Sequence, residues 1–245
     1  MILELDIGNT RAKWRLLASS DIVCARGSGD IADWSAGRLP AEWGDDVARI
    51  RVASVRSATA LDALIGALRL HLHVAPEIAA VGEACAGVRN GYTLPERLGV
   101  DRWLAMIAAS VEMKCAVLVV DIGSALTLDL VDAEGGHRGG HIIPGPRLMR
   151  EVLTASTDRI RFDLGESRTS TAFGRDTANC VLNGATLAIA GAIQMAQGDA
   201  TRLLTCEPTL VLTGGYAEEF ARLPEFNTAK YRPDLVMDGL RYALP

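Results

Sequence analysis

The sequence predicts an α/β protein built from two similar domains facing each other across a cleft. The first observation behind this is a repeat. Leu3-Glu4-Leu5-Asp6-Ile7-Gly8-Asn9-Thr10 returns 115 residues later as Leu118-Val119-Val120-Asp121-Ile122-Gly123-Ser124-Ala125. Each copy is a short apolar run ending in Asp, then Gly, then small hydroxyl or amide residues, which reads as a strand entering a tight turn. The second observation is a further strand-like run after each copy, Ala12 to Leu17 and Leu126 to Val131, which closes a hairpin. The third is the alternation of buried strands with helical periodicity elsewhere. The domains expected are residues 1–115 and 116–245.

Taken in order, Ile50 to Val55 is apolar and β-branched enough for a buried strand. Ala58 to Leu70 comes next as an amphipathic helix. Asp101 to Met113 places Leu104, Ile107, Ala108 and Val111 on one helical face. Cys115 to Val120 is a second buried strand, and Gly135-Gly136 a turn into a strand around Gly140 to Ile143. Pro144 to Leu153 starts a helix with proline in its first turn, where a missing N–H costs least. Arg175 to Gln197 is a long helix, Thr209 to Leu212 a strand ending in Thr213-Gly214-Gly215, and Asp234 to Ala243 a terminal helix. Ala155 to Gly174 lacks periodicity and reads as a loop.

Composition narrows the class. Of 245 residues, 49% are apolar and 22% charged, the balance of a packed globular chain. The net charge of −5 gives no general affinity for nucleic acid, and Arg147, Arg150, Arg159, Arg161 and Arg168 are interleaved with acids. The five cysteines, at 24, 85, 115, 180 and 206, are odd in number with no C-x-x-C, which reads as free thiols in a reducing, cytoplasmic setting. The N-terminal segment carries Glu4 and Asp6 where a secretory signal needs a basic and then an apolar region. The apolar stretch from Cys180 to Ala196 reads as a buried helix rather than a membrane span.

An Asp at a strand end before a glycine turn has a specific chemical use. The turn exposes backbone N–H groups to phosphate oxygens, Thr10, Lys13 and Ser124 add donors, and the Asp holds a metal ion. Asp-x-Gly also occurs in ordinary hairpins, but two copies with a late Thr-Gly-Gly suit a nucleotide held by three loops. Neither G-x-x-x-x-G-K-[ST] nor G-x-G-x-x-G occurs, which excludes P-loop and Rossmann readings.

Asp6-Ile7-Gly8-Asn9-Thr10-Arg11-Ala12-Lys13, Gly99-Val100-Asp101-Arg102-Trp103 and Asp121-Ile122-Gly123-Ser124-Ala125-Leu126-Thr127-Leu128-Asp129 resemble, in order, the motifs of type III pantothenate kinases. Gly139 to Gly145 and Thr213-Gly214-Gly215 are similar to further family segments. The first motif alone indicates the superfamily of acetate and sugar kinases, Hsp70 and actin; the Gly99–Trp103 segment narrows it. The resemblance implies an actin-like (RNase H-like) fold and transfer of the γ-phosphoryl of ATP to pantothenate, the first step of coenzyme A synthesis. It implies that Asp6 to Lys13 form the first phosphate loop and that Ser124, where the family commonly has Thr, touches ATP. It makes Asp101 the general base, with Tyr92, Gly99, Val100, Asp101, Arg102 and Thr177 contacting pantothenate. Asp121 would bind a monovalent cation, K⁺ or NH₄⁺, beside Mg-ATP. It also implies a homodimer in which Thr177 reaches the partner's site, with no nucleic-acid or membrane partner.

Each residue also has a plainer reading. Asp101 opens a helix and suits its dipole as a cap or first-turn acid. Arg102 is either a carboxylate clamp or a solvated helix-start cation. Tyr92 comes after the Asn90-Gly91 turn and could cap a loop. Asp129 reads as an outward strand residue, His71 and His73 as surface residues on a strand-like run, and His137 and His141 as a weak metal pair. The four tryptophans read as packing. Gly184, Ala188, Ala192 and Ala196 form a small-residue stripe that suits either the sheet or a dimer seam. A non-catalytic transcription accessory factor of the same fold, or another small-molecule kinase or phosphatase of the superfamily, remains the alternative. The former predicts a lost base or broken phosphate loops, yet Asp6, Asp101 and Asp121 are present.

Overall fold

Strand β1 (Ile2–Ile7) alternates Leu3, Leu5 and Ile7, all fully buried, with Glu4 and Asp6 on the opposite face. In the computed structural model, which describes residues 1–9, 12–18, 22–44, 46–156 and 170–245, the next elements are β2 (Ala12–Leu17), β3 (Val23–Gly29), α1 (Ile31–Ser35), β4 (Arg49–Ser54), α2 (Ala58–Leu72) and β5 (Pro76–Ile78). They form one sheet of order β3-β2-β1-β4-β5. The hairpin β1–β2–β3 is antiparallel, and β4 and β5 join parallel to β1 through helical crossovers. Leu61, Leu64, Leu68 and Leu72 of α2 close the core over Leu3, Leu5 and Ile7. Trp14, Trp34 and Trp43 are buried at its edge, Trp43 edge-on to Trp14 with ring centres 5.8 Å apart and tilted on Trp34 at 4.9 Å.

Short strands β6 (Ala84–Cys85) and β7 (Val88–Arg89) and a 3-10 turn at Pro95–Arg97 precede α3 (Val100–Met113). Instead of the single apolar face expected from the sequence, α3 is buried from Trp103 to Ala109 on every side.

The same plan is then repeated with β8 (Val117–Ile122), β9 (Ala125–Val131), β10 (His137–Pro144), α4 (Pro146–Ser156), α5 (Thr177–Leu204), β11 (Thr209–Thr213), α6 (Ala217–Ala221) and β12 (Lys230–Tyr231). The second sheet has the order β10-β9-β8-β11-β12, the counterpart of the first. Leu118, Val120 and Ile122 face α5 through Ile189 and Ile193. Asp121 thus occupies in β8 the place of Asp6 in β1: last residue but one, on the face away from the helix core. A terminal helix, α7 (Leu235–Ala243), completes the chain.

The chain divides into two compact units, Met1–Ala86 with Tyr92–Ala108 and Leu235–Pro245, and Gly87–Gly91 with Ala109–Asp234. In the first unit, Gly239 of α7 comes so close to the Leu104 carbonyl of α3 that a side chain there would collide with it. Arg15 of β2 holds Asp238 of α7 at 2.6 Å and Glu4 of β1 at 2.7 Å, and Arg51 of β4 donates to Glu4 at 3.2 Å. Burial pulls the Arg15 pKa down, but Glu4 and Asp238 more than offset this and hold it above its ordinary value.

Other details also differ from the sequence reading: Pro144 ends β10, and the helix expected from it starts at Pro146 and runs to Ser156. His71 lies within α2, and His73 is its C-cap at φ 56° in the left-handed region, so neither is on a strand. Asp129 is not outward: it is buried and bonded to the equally buried His137 at 3.1 Å. That pairing uses the histidine as a neighbour of a carboxylate, and among the described residues no group of three or more His, Cys, Asp or Glu is placed to hold a metal. Helix α5 runs to Leu204, past the expected Gln197, until Thr205 turns left-handed at φ 57°. It is long and apolar enough to cross a membrane by length and composition, and it buries Val181, Ile189, Ile193 and Ala200 in this unit. Thr10, Arg11 and most of the segment 155–174 lie outside the described residues.

Candidate active site

The first loop begins where β1 ends. Asp6 is partly exposed and in register with Lys13 of β2. Ile7 and Ala12 are fully buried core residues, so only their backbone can meet a ligand. Gly8 and Asn9 are the described residues of the loop between them. The Asn9 carbonyl accepts a hydrogen bond from Arg56 Nη2 at 3.2 Å.

In the same unit, the segment before α3 is fixed from within. The amide of Trp103 donates to the Gly99 carbonyl at 3.0 Å, and Trp103 is almost fully buried, which anchors the first turn. Asp101 lies inside that turn, one residue past the helix start, and its Oδ1 accepts from the Arg102 amide at 2.8 Å. A β-carbon on Gly99 would stand 2.6 Å from Asp101 Oδ1, so glycine here leaves the carboxylate room. Arg102 is 6% exposed. Its Nη1 donates to the Tyr92 hydroxyl at 2.7 Å, and its guanidinium lies 5.6 Å from the Tyr92 ring centre. Arg102 is therefore not a solvated helix-start cation. A pocket of about 390 Å³ opens beside this turn, lined by Ser54, Val55, Arg56, Ala80, Val81, Glu96, Leu98, Gly99 and Val100.

The second unit assembles three loops around Asp121. Gly123 donates to the Ala125 carbonyl at 2.9 Å to make the turn after β8. Gly145, just ahead of α4, donates to the Ser124 carbonyl at 3.0 Å and approaches the Gly123 carbonyl too closely for any side chain. Gly214, at φ 99°, passes directly against Asp121 Oδ1, and the Tyr216 amide donates to the Ile122 carbonyl at 3.0 Å. The Thr213-Gly214-Gly215 turn thus meets the Asp121 turn, with Ser124 exposed at its rim. Thr177 is the exposed first residue of α5. Asp176 caps that helix, accepting from the Asn179 amide at 2.8 Å, and this bond holds its carboxyl below the usual range.

Asp6, Lys13, Tyr92 and Gly99 to Arg102 therefore belong to one unit, and Asp121, Ser124 and Thr177 to the other. Arg56 is the residue that sequence reasoning passed over. It comes after a strand-like run and carries no motif, and only its bond to Asn9 singles it out.

A family model described as type III pantothenate kinase matches residues 2–197. The chain is also similar over its whole length to curated relatives. The type III pantothenate kinase of Pseudomonas aeruginosa strain LESB58 is 40% identical over 248 residues, covering 100% of this chain and 99% of that one. The chain belongs to the type III pantothenate kinase family. A second relative of that name, from Pseudomonas putida strain W619, is 39% identical over 252 residues with the same coverage. Among solved structures, a protein of Campylobacter jejuni described as a Baf family transcriptional activator aligns with TM-score 0.60 and 22% identity, covering 98% of this chain and 95% of that one. One from Sinorhizobium meliloti described as a 2-dehydro-3-deoxygalactonokinase aligns with TM-score 0.54 and 12% identity, covering 98% and 97%. At these identities the likeness is one of fold, the actin-like α/β fold with two sheets of five strands.

Proposed function

We propose that this protein transfers the γ-phosphoryl of ATP to the terminal hydroxyl of pantothenate, the first step of coenzyme A synthesis. The observation that carries the reading is the placement of Asp101. Its carboxylate lies against Gly99, a wall of the 390 Å³ pocket, in the same unit as the Asp6–Lys13 loop. The reading of a transcription accessory factor has less behind it. The activator likeness is one of fold, whereas the full-length relatives are kinases.

Phosphoryl transfer asks the protein for positioning and charge neutralisation more than covalent work. A bond forms from the hydroxyl oxygen to the γ-phosphorus as the bond to the β,γ-bridging oxygen breaks and ADP leaves. The hydroxyl proton passes to the Asp101 carboxylate, which acts as general base. Tyr92, Gly99, Val100, Arg102 and Thr177 hold pantothenate. The backbone of Asp6 to Ala12 with the side chains of Thr10, Arg11 and Lys13, and Ser124 from the second unit, hold the phosphates.

Asp6 offers one carboxylate at the end of β1. This suits a Mg²⁺ that arrives with the nucleotide and completes its shell with phosphate and water. Bound there, it offsets charge on the β- and γ-phosphates. Asp121 is assigned to a monovalent cation, K⁺ or NH₄⁺. A homodimer is supported by an apolar groove of about 530 Å³ between α4 and α5, lined by Leu148, Val152, Leu153, Val181, Gly184 and Ala188. A cytoplasmic site is supported by five free cysteines, four of them exposed. No nucleic-acid or membrane partner is assigned.

The test is phosphorylation of pantothenate by purified protein with Mg-ATP, with and without K⁺, beside Asp101→Asn. The wild type should form phosphopantothenate, and the variant should lose roughly 10²–10⁴-fold in kcat while still binding ATP. A variant near wild type makes Asp101 a first-turn helix acid and removes the base.

A further inference from the structure

Three arginines on the first sheet already have carboxylate partners: Arg15 and Arg51 hold Glu4, and Arg49 holds Glu77. Arg56 does not. It stands just past β4, its backbone amide bonded to Ser54 Oγ at 3.1 Å, and its guanidinium donates to the Asn9 carbonyl at 3.2 Å. Among the described residues no carboxylate pairs with it. The one acid that lines the same pocket, Glu96, is exposed and makes no ion pair with it. A guanidinium has five donors, and a single neutral carbonyl leaves most of them for something else.

The position decides what that something is. Asn9 belongs to the loop between Asp6 and Lys13, and the pocket that Arg56 lines is also lined by Gly99, beside which the Asp101 carboxylate rests. On the kinase reading, on which this inference rests, Arg56 is bonded to the phosphate loop and lines the same pocket as Gly99, the neighbour of the base. That is where the transferred group passes and where its equatorial oxygens carry charge. We propose that Arg56 is a further catalytic residue that contacts the γ-phosphoryl oxygens during transfer, held toward them by its bond to Asn9. Arginine suits the task because its fork matches two phosphate oxygens at once and stays charged at any working pH.

The competing source of an anion is the carboxylate of pantothenate itself, and the experiment separates the two. Arg56→Gln and Arg56→Lys are assayed with pantothenate and with a neutral N-alkyl amide of pantothenate, alongside binding of a non-hydrolysable ATP analogue and of ADP. Contact with the γ-phosphoryl predicts that Arg56→Gln loses about ten- to a hundred-fold in kcat with both acceptors. It predicts partial recovery in Arg56→Lys, and weaker binding of the ATP analogue with ADP unchanged. A loss confined to pantothenate, with the amide unaffected, moves Arg56 to the acceptor's carboxylate and overturns the proposal. So do kinetics within about twofold of wild type in both variants. If Arg56→Gln does not fold, the Arg56→Lys kinetics and its analogue-against-ADP difference decide between the same two assignments. Wild-type protein inert toward both acceptors would remove the kinase reading instead, while the analogue-against-ADP difference still reports whether Arg56 meets a γ-phosphate.

Discussion

Arg102 reaches back ten residues to donate from Nη1 to the Tyr92 hydroxyl at 2.7 Å, with its guanidinium 5.6 Å from the centre of the same ring. One end of a turn and the first turn of a buried helix are thus joined by a charge-assisted bond and a cation–π contact. Tyr92 is partly exposed while Arg102 is buried, so the arginine holds the ring in place rather than the reverse.

Tyr92→Phe keeps the ring and removes the acceptor, leaving a buried guanidinium short of one partner. The expected result is a KM for pantothenate raised roughly tenfold with kcat changed less, and a loss of about 1–3 kcal/mol in stability. A double-mutant cycle with Arg102→Lys should give a coupling of about 1 kcal/mol or more, read both in kcat/KM and in denaturant unfolding. Strict additivity of the two variants would show that the bond does nothing for substrate or fold.

Gly99 is required by what stands beside it. Its missing β-carbon would lie 2.6 Å from Asp101 Oδ1 and 3.8 Å from Arg102 Cδ, so Gly99→Ala forces the carboxylate to move. A shift of about 1 Å at a reacting group costs on the order of 10²-fold in rate. The variant should therefore lose roughly ten- to a hundred-fold in kcat, with little change in melting temperature. Steady-state kinetics beside thermal unfolding decide it. A kcat near wild type would mean that the Asp101 carboxylate is free to sit elsewhere without consequence.

How much the sequence made legible depends on how local each signal was. The repeat of Asp6-x-Gly8 as Asp121-x-Gly123 exposed both hairpins, because a strand end and a glycine turn are written in adjacent residues. Strand β3 was hidden because Val23 to Gly29 has one large apolar side chain, Val23, and two glycines, with no apolar alternation. Gly27 and Gly29 lie there because the Trp14 and Trp34 rings occupy the space their side chains would need, a long-range cause. Asp129 read as outward because alternation assumes one wet face, yet this face of β9 is covered and the carboxylate meets His137. Asp101 and Arg102 stood out through their motif, whereas Arg56 became visible only once folding brought it to Asn9.

The first sheet also carries a buried charge network whose failure should be large. Glu4 is fully buried between Arg15 at 2.7 Å and Arg51 at 3.2 Å, and Arg15 extends to Asp238 of the terminal helix at 2.6 Å. Glu4→Gln removes the carboxylate that two buried cations share and leaves Asp238 to hold Arg15 from the edge. Breaking one partner of such a pair costs about 3–5 kcal/mol, because the remaining charge stays desolvated. In a chain of this size that corresponds to a melting temperature lower by roughly 10 °C or more. Asp238→Asn should cost less, since its side chain keeps 22% exposure and water can replace part of the bond. It should show instead as faster amide exchange along Leu235–Ala243, the helix that Arg15 ties down. Differential scanning calorimetry and hydrogen exchange on both variants settle the assignment. A Glu4→Gln protein melting within a degree of wild type would mean that Arg15 and Arg51 find other acceptors, and that the network does not hold the terminal helix to the sheet.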